Sequence, residues 1–461
     1  MSVNAPIVGS LIAEQQTEFA ERHPRSRNLF EAGRQSYLYG GPSHWMRRWA
    51  GGFPIYVAHA DGSRIVDVDG HDYVDFCLGD TGGMCGHGHP AIADAVNRQM
   101  RDGATTMLPT EASLWLGDEL KRRFGLAYWG LTTSASDANR AAIRIARMLT
   151  ERPRVLVFNG CYHGSVEEAH VALRDGQRVL RNDIHPNGLD HAAIAKVIEF
   201  NDVEALRRAL APGDVAAVLA EPVMTNYGMI PPVAGFHDRL RELTRETGTI
   251  LIIDETHTFS SGPGGYARAH GLEPDMLTLG KAIAGGVPAA VYGLSTELAS
   301  RMWEKVPAVN PAIRQSAHLG FGGTLAGGAL AVAAMQAVLH SVLTEAAFAR
   351  MHDLAARLAE GVRQRIAACG LPWHATQIGG RVEYMFSPKP PRDATEAAAA
   401  RHGELETLLH VFFLNRGVLL TPFHNMVLMC PASSVDDVAR HTEAFDAFVA
   451  YIRERGALGE D

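Results

Sequence analysis

An apolar run that ends in two acids constrains this chain more than any other feature. Thr249-Ile-Leu-Ile-Ile-Asp254-Glu255 has no polar face, so it reads as a strand covered on both sides with charge at its carboxyl end. Such a strand belongs in a parallel sheet clothed by helices, whose carboxyl edge is where α/β folds place ligands. Met276-Leu-Thr-Leu-Gly-Lys281 repeats the pattern with a lysine. The two runs predict an acid and an amine converging in one crevice.

Lys281 follows Gly280 and leads into Ala282-Ile-Ala-Gly285-Gly286-Val-Pro288. In a water-poor pocket near another cation the ammonium loses its advantage over the neutral amine, which can form a Schiff base with an aldehyde. Pyridoxal phosphate (PLP) is the aldehyde cofactor that suits this reading. Its pyridine nitrogen must stay protonated to draw electrons from a substrate carbanion, and a buried aspartate such as Asp254 provides for that. The plainer alternative is a surface lysine at a strand end and an aspartate that caps a helix.

Asp254-Glu-Thr-His and Leu279-Gly-Lys281-Ala-Ile-Ala-Gly-Gly-Val-Pro288 together resemble the class III aminotransferases, PLP enzymes of fold type I. Within that class the pattern is most similar to the glutamate-1-semialdehyde aminomutase and β-amino-acid transaminase branch. The similarity runs over roughly residues 35 to 450 and is most specific at the lysine motif. It implies an α/β fold with a large PLP-binding domain at 81-340, built on a mostly parallel sheet flanked by helices. A smaller α+β domain is then formed by both chain ends, 1-80 and 341-461.

A chain of 461 residues is long enough for two such domains, each with its own core. Its 46% hydrophobic and 20% charged residues are those of a soluble globular protein. The formal net charge of -8 argues against nucleic-acid and anionic-membrane surfaces, which call for a basic patch. Five cysteines without CxxC spacing imply neither a disulfide framework nor a zinc site, and a cytoplasmic location is the default. The apolar run Pro6 to Ala13 has no basic flank and is too short to span a bilayer. Residues 1 to about 34 predict an irregular arm or short helix at the surface.

Further along, two Asp-Gly pairs, Asp61-Gly62 and Asp69-Gly70, separate alternating runs and predict a small antiparallel meander. Gly86-His87-Gly88-His89-Pro90 opens a helix; no third ligand lies near the histidines, and no metal is expected. Leu131-Thr132-Thr133-Ser134-Ala135-Ser136-Asp137 reads as a strand end and a small-residue turn that starts a helix. Unpaired amides there carry the positive end of the helix dipole and bind phosphate. The resemblance places the cofactor phosphate at Ser134, Ala135 and Ser136, although the family usually has Ser-Gly-Thr-Glu at this point. An ordinary Ser/Asp cap remains the alternative.

The resemblance also lays Tyr162 on the cofactor ring, where stacking over a pyridinium adds about 1 kcal/mol, with His163 beside it. Val171 to Val197 predicts a surface excursion. Val215-Ala-Ala-Val-Leu-Ala-Glu221 is another buried strand with an acid at its end, Glu221 being either a pocket acid or a salt-bridge partner. Thr256 stands where the family usually packs an apolar residue on the ring, and His257 reaches the same region. Thr324, in Phe321-Gly-Gly-Thr324, matches the family threonine that reaches the phosphate of the neighbouring subunit, which implies a homodimer. Gly262-Pro263-Gly264-Gly265 lacks the strand, spacing and helix of a dinucleotide site.

The activity implied is transfer of an amino group between an amine or β/ω-amino acid and a keto acid or aldehyde, through a Schiff base on Lys281. A 2,1-aminomutase or lyase on the same fold is the alternative; a non-enzymatic small-molecule-binding α/β protein is a remote one. Arg47 or Arg48 lies near an arginine position that holds a substrate carboxylate in the family. Phe423 or His424 stands where some β-amino-acid transaminases have an arginine. Asp80 replaces a common aromatic in the substrate loop, which predicts a substrate whose distal end is uncharged or cationic.

Overall fold

The apolar runs of the middle of the chain assemble into one seven-stranded sheet in the computed structural model, which describes residues 3–306, 309–310, 315–316, 320–422 and 424–459. The sheet order is 128–132, 290–294, 276–279, 250–254, 215–220, 154–158 and 195–198. Every neighbouring pair is parallel except the two made by Ala290–Leu294. Ile250–Asp254 and Val215–Ala220 are buried at every position, as central strands between helical layers must be. The sheet belongs to a unit comprising Pro90–Glu345 and Pro391–Ala399. No single helix among the described residues is long and apolar enough to cross a membrane.

The helix Ala135–Thr150 lies over the central strands of this sheet. Its buried residues are Ala138, Asn139, Ala141, Ala142, Ile143, Ile145 and Ala146, most of them small. Small side chains there let the helix approach the sheet closely. Ser134 caps it, accepting from the Asp137 amide at 3.2 Å and donating to the Asp137 carboxylate at 2.8 Å.

Part of the predicted excursion after Val171 is a hairpin, Val171–Arg174 and Gln177–Leu180, turning at Asp175-Gly176 with both φ angles positive. Its end is not an excursion: Ala195–Ile198 forms the edge strand of the large sheet.

The other unit gathers the chain up to His89, Ala346–Pro390 and the chain from Ala400 on. The predicted meander is present as Val57–Asp61, Arg64–Asp67 and Asp72–Asp75, and Val418–Leu419 adds a parallel strand. A second sheet holds His374–Ile378, Arg381–Met385 and Met426–Leu428. Residues 3–34 are neither an irregular arm nor one short surface helix. They form helices Ala5–Arg22 and Pro24–Gly33, and Val8, Leu11, Gln15 and Phe19 repeat at helical spacing into the core. Composition hid this stripe, because only one residue in three or four is needed to carry it.

Candidate active site

Asp254 and Lys281 reach the same edge because their strands are parallel neighbours in register, Asp254 lying opposite Thr278. Asp254 is 4% exposed. Its Oδ2 accepts from His163 Nδ1 and from the Asn139 amide, each at 2.9 Å, and its Oδ1 accepts from the Thr256 backbone amide at 3.0 Å. Burial alone raises a carboxyl pKa, but the bond and charge of His163 outweigh it, with help from Thr256 and Asn139, and hold Asp254 at about 2. His163 is fully buried too; burial opposes its charge, yet its neighbours Cys161 and Asp254 raise it to about 10. His163 therefore donates, and Asp254 stays ionised.

Asn139 locks this arrangement from the buried face of the helix Ala135–Thr150. Its amide nitrogen also donates to the His163 carbonyl at 3.1 Å, and its oxygen accepts from Thr278 Oγ1 at 2.7 Å. One side chain thus ties the helix, the 159–164 loop and two strands together. Sequence reading gave Asn139 no role. The signal was present as a lone amide among alanines on the inward face, since a buried amide without partners would cost several kcal/mol.

Lys281 sits just past its strand with φ +49°, a left-handed conformation that costs a non-glycine residue of order 1 kcal/mol or more. Gly280 permits the approach of this turn to the helix start: a Cβ there would stand 2.8 Å from Ala135 Cβ and 3.1 Å from Ala135 N. The turn that carries Lys281 and the helix N-terminus are therefore held side by side. The amides of Ala135 and Ser136 donate to no described residue, whereas the Ser136 hydroxyl accepts from the Ser165 amide at 2.9 Å. Lys281 Nζ lies 2.5 Å from His257 Nε2. His257 Nδ1 is 2.9 Å from Thr225 Oγ1, and Thr225 donates to the buried Glu221 carboxylate at 2.6 Å.

Around this centre Thr256 is buried, and its hydroxyl has no partner among the described residues. Tyr162 is half exposed, with the Arg181 guanidinium 5.5 Å from its ring centre. Thr324 is exposed on a turn before the helix Ala329–Ala337. Glu255, the second acid of the Asp254 strand, points elsewhere: the Tyr266 and Ala267 amides and the Thr258 hydroxyl enclose it, and burial pushes it up to about 7. The Gly-rich turn exists to wrap it, since a Cβ on Gly265 would stand 2.7 Å from its carboxyl.

The substrate candidates all belong to the other unit. Arg47 is exposed with its guanidinium 4.8 Å from the Tyr39 ring centre. Asp80 has φ +50°, within a run from Leu78 to Thr81 in which every φ is positive. His424 is buried with Nδ1 3.4 Å from Glu383, and Phe423 lies outside the described residues.

These residues fit PLP. A carboxylate has about four acceptor sites, and Asp254 uses three, leaving one on Oδ1 for a protonated ring nitrogen. The first-turn amides suit a phosphate, and Lys281 supplies the amine.

Comparison with known proteins agrees. The family described as Aminotransferase class-III matches residues 45–452. A glutamate-1-semialdehyde 2,1-aminomutase of Anaeromyxobacter sp. (strain Fw109-5) is 33% identical over 433 residues, covering 92% of this chain and 98% of the relative. The crystal structure of a glutamate-1-semialdehyde-aminomutase from Pseudomonas aeruginosa PAO1 in complex with PMP is 52% identical, with a TM-score of 0.95 over 98% of this chain and 99% of that one. A β-phenylalanine aminotransferase from Variovorax paradoxus is 26% identical, with a TM-score of 0.84 over 97% of this chain and 98% of that one. The chain belongs to the class III aminotransferases, pyridoxal-phosphate enzymes of fold type I.

Proposed function

We propose that the chain moves an amino group between two molecules, from an amine or β/ω-amino acid to a keto acid or aldehyde. The observation that carries the amino-transfer chemistry is the ionised Asp254, held by His163 and Asn139 beside the turn that presents Lys281. PLP, when bound, supplies the electron sink for the substrate carbon. Lys281 would hold the cofactor through its aldehyde and, as the nearby amine, would move a proton at the substrate carbon over a short fixed distance. Asp254 keeps the ring nitrogen protonated, and the amides of Ala135 and Ser136 hold the phosphate, with Thr324 of a second copy completing that end in a homodimer.

Transfer within one molecule is the second reading, favoured by relatives at 33% and 52% identity named as glutamate-1-semialdehyde aminomutases. Asp80 favours the two-molecule form, because a carboxylate in the substrate loop disfavours the acidic group of such a semialdehyde. The test offers a panel of amines and amino acids to the purified holoenzyme, with and without pyruvate or 2-oxoglutarate. Product that requires the acceptor, and scales with it, is expected. Full turnover of glutamate 1-semialdehyde with no acceptor would establish the aminomutase reading instead. Lys281→Ala should abolish turnover and the visible band that borohydride bleaches in the native protein; a variant that retains both would remove Lys281 from the chemistry.

A further inference from the structure

Three neighbouring strands of the large sheet each end in one part of a continuous chain of hydrogen bonds. Lys281 follows Met276–Leu279, His257 follows Ile250–Asp254, and Glu221 and Thr225 follow Val215–Ala220. Successive distances are 2.5 Å from Lys281 Nζ to His257 Nε2, 2.9 Å from His257 Nδ1 to Thr225 Oγ1, and 2.6 Å from Thr225 Oγ1 to Glu221 Oε2. Glu221, Thr225 and His257 are all buried.

With Glu221 ionised, the hydrogen-bond roles along this line follow from valence. Thr225 has one hydroxyl proton and donates it to Glu221, so it accepts from His257 Nδ1–H. His257 Nε2 then carries the lone pair that accepts from Lys281. Reversing every donor and acceptor gives an equally well-bonded state, and the two states differ by the net transfer of one proton from Lys281 to Glu221.

We propose that Glu221, Thr225 and His257 form a relay that takes the proton from Lys281 and returns it, with Glu221 as the store. This rests on the reading that Lys281 binds the cofactor aldehyde. The Lys281 ammonium gives a proton to His257 Nε2; Nδ1–H passes to Thr225 Oγ1; the threonine proton passes to Glu221 Oε2. A neutral amine, a neutral imidazole in the other tautomer, an intact hydroxyl and a carboxylic acid result, with no change of net charge. Thr225 and Glu221 act through His257 and are positioning residues.

Glu221 suits the task. Burial raises its pKa, against the lowering effect of His163 and its bonds from Thr225 and Asn226, and nearby Asp254 raises it further. A buried acid of this kind accepts a proton more readily than an exposed one. Charged or titratable groups that face the relay include His163 and Asp254 at Glu221, and Lys281 at His257.

The relay is tested by following the visible absorbance as PLP is added to the cofactor-free full chain, from neutral to alkaline pH. At neutral pH, Thr225→Val should capture the cofactor about tenfold or more slowly, the size of a lost proton-transfer path. It should approach the native rate at high pH, where hydroxide takes the lysine proton directly, and Thr225→Ser should match the native chain throughout. Native speed in Thr225→Val at neutral pH overturns the relay, as does slowing by one factor at every pH, which marks a structural role. Should the valine variant not fold, Glu221→Gln gives the same outcomes. A native chain that captures PLP without any visible band would remove the reading of Lys281 itself and the relay with it.

Discussion

Asp254 is charged where burial argues against charge, and His163 is the reason. The sign of each shift sets a direction of pH dependence. His163 rises from 6.5 to about 10 on folding, so its stabilisation is complete below 6.5 and is lost as pH rises through about 10. Asp254 falls from 3.8 to about 2, so its contribution is complete above 3.8 and is lost as pH falls through about 2. Glu255 rises from 4.5 to about 7 and loses its own contribution between those values, meeting the range that belongs to His163 only at its lower edge. The urea midpoint of the cofactor-free chain should therefore fall from neutral pH towards pH 10, and His163→Gln should flatten that fall while lowering the neutral midpoint. An unchanged alkaline slope in the variant would mean that the pair is not ionised as described. Asp254 and Lys281 were legible in the sequence because a strand that is apolar on both faces makes a terminal charge conspicuous. The partners of Asp254 were not, since His163 lies 91 residues away from it and Asn139 lies 115 away.

Secondary-structure elements meet at the site through close backbone approach, which leaves almost no mark on residue chemistry. Gly280 shows this best. Its glycine looks like ordinary turn punctuation, yet a single added methyl would press on Ala135 Cβ and Ala135 N. Neither atom is the tip of a flexible side chain, so the turn and the helix start would have to separate. Gly280→Ala should cost about 1–3 kcal/mol, the usual range for overpacking, and should also weaken cofactor capture by displacing the first-turn amides from Lys281. Thermal unfolding and a cofactor titration read the two effects separately. Unaltered cofactor affinity would show that the phosphate is held elsewhere. Periodicity made the strands and the Ala135–Thr150 helix readable, but it failed for Ala5–Arg22. There a sparse stripe within a polar stretch carries the burial, and the stripe becomes visible only when positions 8, 11, 15 and 19 are projected onto one helical face.

At the scale of the molecule, the unit that holds Arg47, Asp80 and His424 is closed by the two ends of the chain. The Asn4 amide donates to the Ala457 carbonyl at 2.9 Å, Val3 bridges Leu458, and Asn415 donates to Gln15 at 3.0 Å. Phe19 is the apolar centre of this closure: it is fully buried, stacks on His23 at 4.1 Å and meets Phe53 at 5.1 Å, in a cluster with Tyr73, Val411 and Leu419. Contacts so distant in sequence form only when the whole unit is folded, so the loss of one should be felt by all of it. Phe19→Ala should reduce the stability of this unit by about 3–5 kcal/mol, the range for removing a buried aromatic ring. Thr17→Ala, on the exposed side of the same helix, should change it by less than about 0.5 kcal/mol. Denaturant unfolding of the full chain measures both. Equal effects would mean that the helix adds only its own propensity, whereas the expected contrast makes residues 5–22 part of the core of the unit that holds Arg47, Asp80 and His424.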